Sequence, residues 1–233
     1  MSANAQTPTG ASAAPGRYAP SGWWRIGYWA GLIISVAVVF RRVYALAYPP
    51  RSAPPPLAAL DALFASHATL TLAHILPALA FVLLSPFVVF RNSAETVWAE
   101  RLLYPLGVVV GFTAYGLSAD AVGGWLERSA VLLFNTLFLF SLFRAYRSMR
   151  GGQELQKRRW LMRAIVILLG IATIRPVMGL FFATRHLTHL EPKQFFGLAF
   201  WIGFSINTLA VELWLRSREP QAHAEKNTLP PGA

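Results

Sequence analysis

The sequence predicts an all-α fold, a polytopic membrane bundle of about six transmembrane helices, and three observations predict it. Apolar residues make up 55% of the 233 positions and charged residues 13%. A soluble domain carries roughly 25% charged residues, so most of this surface cannot face water. The apolar residues fall in runs close to the roughly twenty that a helix needs to cross the hydrocarbon. The cations gather between those runs, where positive charge sets topology and meets anionic lipid.

Residues 1–22 are rich in Ala, Ser, Thr, Pro and Gly and read as a disordered tail. The run from Trp23 to Phe40 lacks the small-residue cleavage site of a signal peptide and ends in Arg41-Arg42. It therefore reads as a retained first span, 23–40. Pro54-Pro55-Pro56 marks a connector, and residues 57–68 read as a short interfacial helix before the second span, 69–90. The third to sixth spans follow at 101–120, 127–146, 161–184 and 195–216, and residues 217–233 form a flexible polar tail. No internal repeat appears, so the inverted-repeat logic of many transporters has no support.

The bundle has ordinary packing devices. Gly107 and Gly111 form a small-xxx-small pair that permits close helix approach. Trp23, Trp24, Trp125, Trp160 and Trp214 lie near span ends, as interfacial anchors do. Pro77, Pro86, Pro105 and Pro176 fall in or near spans, where neighbours can satisfy the freed carbonyls.

Lys and Arg set the expected orientation. With the N-terminus inside, fourteen cations fall on the inner side and six on the outer, which places both termini in the cytoplasm. The segment from Arg144 to Arg163 holds seven of the fourteen and decides the orientation, while the outer Arg41-Arg42 pair dissents. The expected location is a bacterial inner membrane. The basic segment is a candidate lipid-headgroup surface, though topology alone accounts for it.

Ionisable groups inside the hydrocarbon cost about 2.5–3.5 kcal/mol on insertion scales and usually face the protein interior or water. Arg175 is the clearest case, lying roughly 13 Å below the outer end of the fifth span at 1.5 Å per residue. Pro176 follows it, and a proline there predicts a kink and a free carbonyl at Ala172. His74 lies roughly 8 Å, Asn135 roughly 12 Å and Asn207 roughly 18 Å from the outer side. Tyr115, Ser118 and Asp120 approach the outer end of the third span. These residues predict one outward-facing polar pocket formed by His74, Asp120, Asn135, Arg175 and Asn207, with Arg175 as its cation and Asp120 as counter-ion. Glu212 lies near the inner end of the sixth span, more than about 10 Å from Arg175. It reads as a structural polar clamp with Arg163, Arg101 or Arg91, Arg163 being the favoured partner.

The histidines offer an alternative. His67 and His74 share a helical face about 10 Å apart along the axis, too far for one metal. A b-type haem would need His74 together with His186 or His189 from the outer end of the fifth span. Absence of cysteine excludes thiolate zinc, iron–sulfur ligation, c-type haem attachment and cysteine nucleophiles. No HExxH, GxSxG, P-loop or dinucleotide fingerprint occurs, so no catalytic residue is assigned.

Three segments, AHILPALAFVLLSPFVVFR, KRRWLMRAIVILLGIATIR and SINTLAVELWLR, resemble the bacterial predicted membrane proteins known as the domain of unknown function 2306 family. The resemblance covers roughly residues 67–216. It implies a multi-span bundle whose polar positions are His74, Arg159, Trp160, Arg163, Arg175, Asn207 and Glu212. Where the family pattern carries histidines, this chain has Ala99-Glu100-Arg101 and Gln156-Lys157. The family name carries no activity.

The reading that follows is a non-enzymatic multi-pass membrane protein whose pocket binds or passes a small molecule or lipid headgroup, with Arg175 favouring an anion. It predicts no cofactor and no nucleic-acid partner. Membrane lipids are its expected partners, and a homo-oligomer is left open. Two alternatives stand beside it: a haem or quinone-linked electron carrier, and a structural subunit of a membrane complex.

Overall fold

A computed structural model describes residues 22–48, 61–62, 64–90, 97–189 and 192–217, without the side chains at 185, 188, 192 and 193. The expected tails, the Pro54-Pro55-Pro56 connector and the first part of the interfacial helix lie outside the described residues. Residues 61–62 and 64–66 are helical.

Among the described residues the chain is helical throughout, without strands, as its composition predicts. The helices are α1 (Gly22–Ala47), α2 (Ala68–Phe90), α3 (Val97–Leu117), α4 (Gly124–Arg150), α5 (Glu154–Leu168), α6 (Gly170–Thr188) and α7 (Pro192–Ser217). A 3₁₀ turn, Ser118–Asp120, ends α3. Among the described residues six spans are long and apolar enough to cross a membrane, α5 and α6 together making the fifth. Each exposes apolar side chains outward, such as Ile33, Phe112, Phe143 and Leu213. This is the architecture of a multi-pass membrane protein.

The helices pack mainly as chain neighbours: α2 on α3, α3 on α4, α4 on α5 and α6 on α7. The last helix closes the bundle by packing on α4 and α5, while α1 sits against α2 and α6. Gly107 and Gly111 work as expected. A Cβ at Gly107 would sit 2.7 Å from Leu142 and 3.2 Å from both Phe138 and Phe81, so the bare Cα gives side chains of α2 and α4 room to seat closely against α3. Trp24 and Trp214 stack on each other at 5.0 Å, joining α1 to α7, whereas Trp23 and Trp125 are exposed.

The fifth span breaks at Leu169–Gly170, not at Pro176, through which α6 continues. Gly170 is the poorest helix former near that point, and its bare Cα lies against Phe204, where a Cβ would come within 2.5 Å of the ring. The break is closed by a tight turn, with the Ala172 amide donating to the Leu169 carbonyl at 3.0 Å.

Candidate functional site

A cavity of about 260 Å³ lies between the spans, toward the end where α1 finishes and α2 begins. Helix geometry explains its shape. Thr71, His74, Ile75, Ala78, Leu79 and Val82 form one stripe along α2 and all line it. From His67, just before α2, to Val82 is fifteen residues, about 22 Å of helical rise. Val131, Phe134, Asn135 and Phe138 form the facing stripe on α4, and Ile171 and Arg175 face it from α6.

The mouth is polar. Arg42, His67, Asp120 and Glu127 line it. Arg42 donates to Asp61 at 2.5 Å, Arg41 lies 3.5 Å from the other oxygen of that carboxylate, and the Phe64 ring sits 4.0 Å from the Arg42 guanidinium. His67 and Asp120 approach within 3.6 Å, with both side chains about half exposed. Glu127 accepts from the Gly123 amide at 2.6 Å, fixing the turn that leads into α4.

Deeper in the cavity lie the groups that depth selected. His74 Nδ1 is 3.0 Å from Thr113 Oγ1. The Thr113 hydroxyl donates to the Val109 carbonyl at 2.6 Å, which leaves its oxygen to accept from Nδ1–H. Asn135 reaches across to α3 and donates to the Gly111 carbonyl at 2.9 Å, an approach that the bare Gly111 permits. Arg175 completes this layer. Its Nε is buried and makes no hydrogen bond, and the guanidinium hydrogen-bonds to no described residue. The acid that acts on it through space is Glu127, opposed by Arg41 and Arg42.

Four of the five expected pocket residues, His74, Asp120, Asn135 and Arg175, thus line one cavity. The expected pairing of Asp120 with Arg175 is corrected. The 3₁₀ turn carries Asp120 to the rim beside His67, and Glu127 is the acid facing Arg175. Asn207 is also corrected, because it does not line this cavity. Its amide donates to the Val166 carbonyl at 2.9 Å and accepts from Thr173 at 2.6 Å. The ordinary helical partner of Val166 is the amide of Gly170, just past the break, so Asn207 serves the interruption in the fifth span. Of the neighbours expected beside Asp120, Ser118 lines the cavity, whereas Tyr115 turns to Thr136 at 2.7 Å.

His186 and His189 are exposed at the end of α6 and do not line the cavity that holds His74. No group of three metal-ligating side chains occurs among the described residues. At the opposite end of the bundle, Arg163 and Glu212 form a two-pronged pair, Nε to Oε1 at 2.5 Å and Nη2 to Oε2 at 3.0 Å. The Trp160 ring lies 4.4 Å from the Arg163 guanidinium and 5.4 Å from that of Arg144.

Sequence reasoning missed Arg42 and Glu127 as pocket residues. Both sit at span ends, where charge is ordinary, and the usable signal was their shared outer level with Asp120. Comparison with protein-family models, with curated proteins and with solved structures returned no match.

Proposed function

We propose that this multi-pass membrane protein binds a small anion or the anionic head of a larger molecule in the Arg175 cavity, and that it is not an enzyme. One observation carries the reading. A guanidinium inside a helical bundle, beside a void and with no hydrogen-bond acceptor among the described residues, is a donor open to a partner, because a buried charged group is costly to leave unsatisfied. A purely structural arginine would be closed off by carbonyls or a carboxylate, as Arg163 is. The predominance of Lys and Arg on the opposite side supports a cavity facing outward across a bacterial inner membrane.

The test is anion-dependent thermal stability of the protein in nanodiscs, using acetate and inorganic phosphate at constant ionic strength. Expected is a rise in Tm with one of these anions for the parent, lost in Arg175→Gln. A response equal in parent and variant would sink the reading.

A further inference from the structure

The cavity is long, and its chemistry changes along its length. At the mouth and the middle stand His67, Arg42, Arg175 and His74; at the far end stand Val82, Phe138 and Ile167. From His74 to Val82 is eight residues, about 12 Å of helical rise lined by apolar side chains below the cationic layer. A hydrated anion fits only the upper part, because the lower part offers it no hydrogen-bond partner.

The charges bound the head. Arg41 and Arg42 share Asp61, His67 stands against Asp120, and Arg175 faces Glu127 through space. Among the described residues no lysine lines the cavity, and Arg42 is already held by Asp61. That leaves Arg175 as the lining guanidinium without a hydrogen-bonded acid among the described residues, which matches a singly charged head and leaves the second charge of a phosphate dianion without a partner. The volume, about 260 Å³, lies just below the range of roughly 300–1,000 Å³ typical of drug-sized ligands and admits one chain rather than two.

We infer that the ligand is a single-chain amphiphile with a monoanionic carboxylate head, the head on Arg175 beside His74 and the tail running toward Val82 and Phe138. This rests on the anion-binding reading above and narrows it.

The experiment is calorimetric titration of the whole protein in zwitterionic nanodiscs, with empty nanodiscs as reference. The probes are acetate, inorganic phosphate, a carboxylate series from butanoate to dodecanoate, decyl phosphate and decyltrimethylammonium. Expected is affinity above the empty-disc reference that grows about fourfold per added methylene, from about 0.8 kcal/mol of transfer free energy each. It should level off once the tail fills the apolar end. Decyl phosphate at a pH where it is a dianion should bind more weakly than decanoate, and the ammonium not at all. Arg175→Gln should weaken decanoate about tenfold to a hundredfold, the loss of one charge-assisted bond. Arg175→Lys should recover part of it.

Acetate or phosphate binding as tightly as decanoate, and dependent on Arg175, would overturn the amphiphile and leave the anion site standing. Decyl phosphate binding more tightly than decanoate would overturn the carboxylate head. Decanoate binding unchanged in Arg175→Gln, or equal to empty nanodiscs, would overturn the amphiphile and the anion site together.

Discussion

Arg163 and Arg175 stand twelve residues apart on the fifth span and live in opposite surroundings. Arg163 is held by both oxygens of Glu212 and lies against the Trp160 ring. Arg175 lines a void with its Nε unbonded. A paired arginine contributes by satisfying the partner that would otherwise be stranded; an unpaired one costs free energy in the empty protein and recovers it when an acceptor arrives. The difference separates a strut from a site, and it can be broken by substitution.

The largest effect should fall on the strut. Arg163→Met strands Glu212 and removes the ring contact, and we expect a loss of about 2–3 kcal/mol, measured by SDS-induced unfolding in mixed micelles. Glu212 is about a third exposed, which keeps the value at the lower end for a broken pair. Adding Glu212→Met should recover most of the loss, since the apolar pair leaves nothing unpaired. An Arg163→Met protein as stable as the parent would make the clamp ornamental.

Asn207 should come next. Asn207→Leu removes the donor to Val166 and the acceptor for Thr173, for an expected loss of about 2 kcal/mol in the same assay. It should leave the anion response of Arg175 untouched, because the two residues serve different places. An anion response lost along with the stability would return Asn207 to the pocket.

Depth in the span was enough to gather Arg175, His74 and Asn135 into one layer, because helical rise converts residue number directly into height. Height says nothing about which way a residue turns around the helix axis, and that is how Asn207 was misplaced. Its neighbour in space is decided by the break at Gly170, and the sequence points for that break to Pro176. At Gly170 the weak helix propensity of glycine, a local signal, coincides with the Phe204 ring of another helix lying against the bare Cα, a tertiary contact that the sequence does not display. Arg41-Arg42 contradicted the charge rule along the chain; in the fold both arginines converge on Asp61 at the cavity mouth. The fold class needed only composition and run length, which is why it was legible throughout.

The sign of the third effect is its content. Arg175→Met replaces a buried cation that no carboxylate holds by a hydrogen bond with an apolar chain of similar reach, while Glu127 keeps the Gly123 amide; we expect the ligand-free protein to gain about 1–2 kcal/mol of stability. The same substitution at Arg163 destabilises, so the pair of variants gives opposite signs from identical chemistry. A loss of stability in Arg175→Met would mean that the guanidinium is satisfied in the resting protein, and the contrast with Arg163 would vanish.

The smallest effect probes how the site is held. Thr113 holds His74 from the side of α3, accepting from Nδ1–H and donating to the Val109 carbonyl. Thr113→Val keeps the shape and removes the acceptor, so a loss of about 1 kcal/mol is expected. With one anchor of its ring removed and the Val110 backbone contact kept, His74 should turn more freely, and anion affinity should fall about two- to threefold, under 1 kcal/mol by the usual conversion. That is far less than the fall on removing Arg175, because a residue that orients a neighbour contributes less than the cation itself. An affinity loss as large as that of Arg175→Gln would shift the centre of recognition from the guanidinium to the imidazole, and the contrast between the two arginines would no longer describe the site.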